Sequence, residues 1–183
     1  GLDLASRTQW RMDIRLPKDK AYFETGALWY NPTPFHEAYL SWENAAYRAT
    51  DDLEFYFPGT HHVDHSGNAE PWPIDGQGRD LSLYRKNNFG SHKSYHVMGD
   101  SRNWFGGYWR DSDYGFGHWA PYADAPGKKL WLWSLSRSGA IWEDLLTDDD
   151  GQYIEAQSGV KFNQAGERSG FRSPFTQLSL RPY

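Results

Sequence analysis

The stretch LLTDDDGQYIEAQSG, residues 145–159, carries the clearest information about the fold. Its aspartates and Gly151 predict a tight hairpin turn, in which the glycine supplies a positive φ. The residues after the turn alternate between polar and apolar types, which is the period of a β-strand. Tyr153, Glu155 and Gln157 therefore share one face of the predicted strand, and this polar, aromatic face suits either a ligand site or a solvated surface.

The same period of two recurs along the chain and predicts an all-β fold built as an antiparallel β-sandwich. Helix is expected only at Ile141–Leu146 and in less than about a tenth of the chain. Gly- and Pro-rich sequence predicts irregular loops at residues 61–80 and 86–101. The other predicted strands are Met12–Leu16, Ala21–Tyr30, Ala38–Ala49, Asp52–Phe57, Trp104–Arg110, Lys128–Ser136 and Phe175–Leu180.

Length and charge narrow the function classes. The 183 residues suffice for a single β domain over residues 1–183. Lys and Arg total 19 against 24 Asp and Glu, a net charge of −5 with no basic stripe, so nucleic-acid binding is not expected. The sequence has no apolar run long enough to predict a membrane span. The absence of cysteine excludes thiol chemistry, and no nucleotide-binding or G-x-S-x-G motif occurs, so no cofactor is expected.

Two polar clusters invite a metal-site interpretation that their spacing does not favour. Residues 61–65, HHVDH, hold three imidazoles and a carboxylate, but they lack the H-E-x-x-H spacing of zinc sites. A calcium-binding EF-hand loop with its glycine at Gly151 would need an acidic residue where Leu146 stands. We therefore expect no bound metal, and we expect His61 and His62 to bond a polar ligand or their own loop.

Aromatic residues are unusually abundant, with ten Trp, 12 Tyr and 10 Phe forming 17% of the chain. Rings beside polar groups are typical of sugar-binding clefts, although the same rings also serve as core and cross-strand filler in β proteins. The segment NWFGGYWRDSDYGFGHWAPYAD, residues 103–124, mixes aromatics with His, Asp, Arg and Gly and gives the strongest ligand-site signal. The predicted substrate-binding residues are His61, His62, Trp72, Asp80, Trp109, Asp113, Trp119 and Gln157. Trp72 should anchor the 61–80 loop over a pocket.

Several longer motifs occur in a distinctive order. These include W-E-N-A-A, E-P-W-P, G-K-K-L-W-L-W and L-T-D-D-D-G-Q-Y-I-E-A-Q-S-G. From about Trp10 to Phe175 the chain resembles a family of bacterial domains related to the aldose 1-epimerase (galactose mutarotase-like) superfamily, often found in tetratricopeptide-containing proteins. The resemblance implies a β-supersandwich, of which this short chain would be the C-terminal portion, and a carbohydrate ligand. It also implies a His–carboxylate pair, for which Glu155 and His118 are the candidates.

Three functions follow as hypotheses. The first is a carbohydrate-binding domain whose partner is a mono- or oligosaccharide. The second is a carbohydrate-active enzyme, an epimerase with Glu155 as base and His118 as acid, or a glycoside hydrolase pairing Glu155 with Asp113 or Asp80. The third is a structural or interaction domain whose aromatics form the core. The enzyme hypothesis requires Glu155 and His118 to lie within reach of each other.

Overall fold

The computed structural model describes residues 1–39, 41–148, 151–164 and 178–182. The chain divides into two compact units, Gly1–Leu40 with Gln177–Tyr183, and Ser41–Thr176. Every pair of described strands is antiparallel. The described residues include one α-helix, of ten residues. The predicted all-β, antiparallel fold class with little helix is therefore confirmed.

The first unit is built from two small sheets. Strands β1 (Gln9–Arg15) and β2 (Glu24–Tyr30) form a hairpin whose side chains are mostly exposed on both faces. Strand β3 (Glu37–Tyr39) pairs with β13 (Leu178–Leu180). The buried side chain of Asn31 donates a 3.1 Å hydrogen bond to the last carbonyl group of β13. This bond fixes the segment before β3 against the second small sheet.

The second unit contains two larger sheets. Its strands are β4 (Trp42–Arg48), β5 (Leu53–Tyr56), β6 (His61–Val63), β7 (Ala69–Pro71), β8 (His92–Met98), β9 (Trp104–Trp109), β10 (Tyr114–Trp119), β11 (Gly127–Trp133) and β12 (Tyr153–Gly159). One sheet has six strands in the order β4-β12-β11-β8-β6-β7, and the other has three in the order β10-β9-β5. A helix, α1 (Arg137–Leu146), connects β11 to β12.

Alternating side chains from both sheets of the second unit form one apolar core. Leu130, Leu132 and Ile154 come from the six-stranded sheet, whereas Phe55 and Phe105 come from the three-stranded sheet. All five are almost completely buried. Each sheet therefore has an inner face toward this core and an outer face away from it.

Four strands, β6, β7, β8 and β10, lie in segments that the sequence did not predict as strands. β6 and β7 lie within the predicted loop 61–80, and the proline of β7 is tolerated because β7 is an edge strand. β8 is an interior strand of the six-stranded sheet, although residues 86–101 were predicted to be irregular. Its inner face carries the apolar residues Tyr95 and Val97. Its outer face carries Ser94 and His96, which are buried although they are polar, so the sequence does not read as a buried strand.

The helix and the turn after it also differ from prediction in extent. α1 begins four residues before the predicted Ile141, because Ser136 caps it by accepting a hydrogen bond from the Gly139 amide. Gly151 has the predicted positive φ, +84°. The turn joins α1 to β12 and is therefore not a hairpin turn; Asp149 and Asp150 lie outside the described residues, as do residues 175–177 of the last predicted strand.

Candidate functional site

The outer face of the three-stranded sheet carries a groove walled by aromatic rings. Trp104 and Trp119 are directly paired on β9 and β10, so both rings stand on this face. Two residues along each strand the paired positions are Gly106 and Gly117, which have no side chains. Tyr56 pairs with Gly106 from β5 and forms the opposite wall. The result is an open groove of about 630 Å³ with rings along its walls and glycine along its floor.

The rings of this groove are exposed to solvent. Trp104 is 44% and Trp119 is 67% exposed, and Tyr56 is also exposed. Large apolar side chains that cluster on a surface mark interaction sites more often than isolated ones do. At Gly117 an added Cβ would meet nothing nearer than the Phe105 carbonyl oxygen at 4.0 Å. The floor of the groove is therefore open space at Gly117, whereas an added Cβ at Gly106 would clash with the Phe116 carbonyl oxygen.

A charged pair lies beside the Tyr56 end of the groove. Glu54 forms an ion pair with Arg110 and accepts a 2.9 Å hydrogen bond from the Tyr56 hydroxyl. The hydrogen bond from Arg110 is the main cause that lowers the pKa of Glu54, so its carboxylate is ionised at neutral pH. Tyr108, which pairs with Glu54 across the strands, donates its hydroxyl to Asp113. Tyr56 and Tyr108 thus line the groove, and the charged groups that they bond lie beside it.

Glu155 lies elsewhere, on the outer face of the six-stranded sheet. As predicted, it shares this face with Tyr153 and Gln157. Its Oε2 accepts hydrogen bonds from Asn44 at 2.9 Å and from Gln157 at 2.7 Å. Burial lowers the pKa of Lys129, on the neighbouring strand, to about 8, and the charge of Glu155 opposes that shift. Glu155 is therefore one member of a polar network that runs from buried Gln157 to exposed Asn44.

The structure does not bring His118 and Glu155 together. His118 stacks on Phe105 of the core, with ring centroids 4.8 Å apart, and its Nδ1 lies 4.0 Å from Glu43 Oε2. Glu43 pairs with Ser158, which is three residues from Glu155 and so faces the opposite side of the sheet. Burial lowers the pKa of His118, which keeps its ring neutral at pH 7. His118 thus faces the core, whereas Glu155 faces away from it.

The other predicted substrate-binding residues are dispersed. Trp119 lies in the groove. Trp72 is buried and donates a 2.9 Å hydrogen bond to the Phe57 carbonyl, so it anchors its segment as expected. Asp80 accepts hydrogen bonds from the backbone and hydroxyl of Ser82, which gives it a turn-stabilising role.

The remaining members are in four different surroundings. Trp109 packs against the core, Asp113 occupies a turn, His61 is exposed on β6, and His62 is buried beside Tyr95. Sequence reasoning left Trp104 and Tyr56 out of the site. The alternation Trp104-x-Gly106-x-Tyr108, with rings and glycines on one face, is the signal that would have found the groove.

Comparison with known proteins identifies the family to which the chain belongs. The profile of "Domain of unknown function (DUF5107)" matches residues 1–183. The chain belongs to the DUF5107 family. A crystal structure of a TPR-domain containing protein from Parabacteroides distasonis ATCC 8503 has the same fold, with a TM-score of 0.75 and 24% sequence identity. The match covers 96% of this chain and 28% of that one, so the DUF5107 chain spans less than a third of the crystallised protein.

Two further observations concern the described part of this DUF5107 chain. No three His, Asp or Glu side chains within it converge closely enough to hold a metal ion. Within the same residues, no helix has the length and hydropathy needed to cross a bilayer.

Proposed function

We propose that this DUF5107 chain is a non-catalytic carbohydrate-binding domain and that a sugar chain lies in the aromatic groove. The observation that carries the proposal is the exposed, directly paired rings of Trp104 and Trp119 beside a glycine floor. An aromatic face covers the C–H face of a pyranose ring, and the missing side chain at Gly117 leaves room for the sugar to approach the backbone.

The polar end of the groove supplies the second half of sugar recognition. A sugar hydroxyl both donates and accepts hydrogen bonds. The ionised carboxylate of Glu54 is an acceptor, and the guanidinium of Arg110 is a donor. The two groups already bond each other, and Glu54 also accepts a hydrogen bond from Tyr56, so both are held in place before a ligand arrives. Such preorganisation lowers the entropic cost of binding.

The proposal extends the resemblance to the galactose mutarotase-like superfamily. We propose that the six-stranded antiparallel sheet is part of a β-supersandwich of that type. The enzyme hypothesis has weaker support, because Glu155 faces away from the core whereas His118 stacks on Phe105 of the core, and a proton shuttle needs contact or one bridging water. Glu155 is also engaged by two amide groups, as expected of a carboxylate that orders a polar network.

The test begins with a glycan array to select a ligand and continues with calorimetric titration of that oligosaccharide. Trp104→Ala is compared with Trp142→Ala, a matched control in which a 46% exposed tryptophan on α1 is removed outside the groove. Covering about half of the exposed area of Trp104, roughly 55 Å² at about 25 cal/mol/Å², corresponds to about 1.4 kcal/mol, or a tenfold weaker affinity. Trp119→Ala should weaken binding at least as much, because more of that ring is exposed.

Two outcomes would count against the proposal. If the array shows no bound glycan, the groove serves another purpose, and if Trp142→Ala weakens binding as much as Trp104→Ala, the ligand lies elsewhere. Chromogenic glycosides and a polarimetric mutarotation assay, run beside the array, address the enzyme hypothesis. Turnover that Glu155→Gln abolishes without lowering the melting temperature would favour an enzyme instead.

A further inference from the structure

The rings of the aromatic groove form two separate groups. Trp104 and Trp119 are directly paired and are termed here the tryptophan pair. Tyr108 follows Trp104 by four residues on β9 and therefore lies on the same face of the sheet. Tyr56 stands on β5 beside Gly106, and the two tyrosines are termed the tyrosine pair. All four rings line the groove.

Strand geometry sets the distance between the two pairs. At a rise of about 3.4 Å per residue, the Cα atoms of Trp104 and Tyr108 are about 13 Å apart. Trp119 and Tyr56 are separated by two strands and two residues, which corresponds to about 12 Å. A pyranose face covers about one aromatic side chain, so a single sugar unit stacks on one pair at a time. A ligand that contacts both pairs must therefore contain at least two sugar units.

The floor between the two pairs is shaped by two glycines of β10. At Gly117 an added Cβ would meet nothing nearer than 4.0 Å, so the floor is open there. At Gly115 an added Cβ would lie 3.1 Å from a ring carbon of Tyr108, so this tyrosine ring covers the backbone of Gly115. A ligand can thus lie low over Gly117 and reach rings on either side of it.

The tyrosine pair is held in place by its hydroxyl groups. Tyr108 donates a hydrogen bond to Asp113, and Tyr56 donates one to Glu54. The groove also has room for more than one sugar unit, because its volume of about 630 Å³ lies within the roughly 300–1,000 Å³ typical of sites for drug-sized ligands. Both aromatic pairs are therefore available to the same ligand.

We propose that the groove binds an unbranched oligosaccharide lengthwise along the strands, with one sugar unit on the tryptophan pair and a later unit on the tyrosine pair. This assignment of the ligand rests on the carbohydrate-binding function proposed above. Joining the two units in one chain makes the second contact intramolecular, which increases the affinity without any further contact. The affinity of the groove should therefore depend on the length of the glycan.

The experiment is calorimetric titration of the chain with glycans of increasing length. The probes are the cello-, malto- and chito-oligosaccharide series, each starting from the methyl glycoside of a single unit. In at least one series we expect the affinity to rise by about tenfold or more, equivalent to about 1.4 kcal/mol, and then to level off once the glycan reaches both pairs.

Variants test whether both pairs produce this gain with length. Tyr56→Ala and Trp119→Ala each remove an exposed ring from one pair, so each should reduce the gain by about threefold or more. Trp142→Ala, outside the groove, should keep the gain of the parent chain. The length series on the parent chain needs no variant, so it tests the proposal even if one of them does not fold.

Two results would overturn the lengthwise binding while leaving the carbohydrate-binding function intact. One is a methyl glycoside that the parent chain binds as tightly as the longer glycans of its series. The other is a full gain with length in Tyr56→Ala or Trp119→Ala, when circular dichroism shows that the variant is folded. If no member of any series binds, both proposals fail together.

Discussion

Two glycines on the three-stranded sheet should respond oppositely to the same substitution. Gly107 faces the core, where an added Cβ would lie 2.5 Å from a ring carbon of Phe116. That ring cannot easily retreat, because it stacks on Tyr47 with centroids 3.7 Å apart. Gly117 faces the groove, where an added Cβ meets only the Phe105 carbonyl oxygen at 4.0 Å. Alanine therefore overpacks the first site and fills empty space at the second.

The expected difference between the variants is large enough to measure. Overpacking a core costs about 1–3 kcal/mol, so Gly107→Ala should lower the free energy of unfolding by that amount. Gly117→Ala should be neutral or raise it by up to about 1 kcal/mol, because glycine within a strand is entropically costly. At roughly 2–4 °C per kcal/mol for a chain of this size, the melting temperatures should clearly separate.

Differential scanning calorimetry and urea denaturation of both variants provide the assay. Equal destabilisation by the two substitutions would refute the assignment of the faces, and so would a neutral Gly107→Ala. A third variant connects stability to binding. Gly117→Leu should keep the melting temperature of Gly117→Ala while weakening oligosaccharide binding at least tenfold, because its side chain occupies the groove. Gly26→Leu, at another glycine with nothing within 4 Å, is the matched control.

Three other predictions concern stability. Ser136→Ala removes the cap of α1 and should cost about 1 kcal/mol in urea denaturation, whereas the exposed Ser138→Ala should cost nothing. Burial raises the pKa of Asp75, but its hydrogen bonds and ion pair lower the pKa by more, so the net shift is downward. The ionised side chain therefore stabilises the folded state above about pH 4, and this contribution is lost in acid. Asp75→Asn should abolish that acid-dependent part of the free energy of unfolding. Burial lowers the pKa of His96 to about 3. Between about pH 3 and 6.5 this histidine therefore binds a proton in the unfolded chain but not in the folded one. The free energy of unfolding should decrease as the pH is lowered through that range, by up to about 1.4 kcal/mol per pH unit. His96→Gln should reduce that slope in unfolding titrations at several pH values, and the exposed His36→Gln should not.

Sequence patterning predicted the strands whose two faces differ in polarity. β12 is an example, because Ile154 and Ala156 face the core while Glu155 and Gln157 face away. β8 escaped prediction because its outer face is polar yet buried, so its polarity indicates a covered polar network rather than solvent.

The site was harder to predict than the strands. Period two placed Glu155 correctly relative to its neighbours, but the distance to His118 depends on which strands pair across the sandwich, and no local pattern encodes that order. Trp119 was identified because it stands in a conspicuous aromatic segment. Its partner Trp104 was missed as a site residue because their proximity comes from cross-strand register.

The β1–β2 hairpin has a consequence for hydrogen–deuterium exchange. Seven register pairs hold it, but the side chains on both its faces are mostly exposed. Two-stranded hairpins are marginally stable in water, whereas the residues of β11 are almost all buried within a six-stranded sheet. Deuterium should therefore label the hairpin amides through local opening long before those of β11. Protection factors would then fall into two kinetic classes, and only the slower class would report the global unfolding of the second unit.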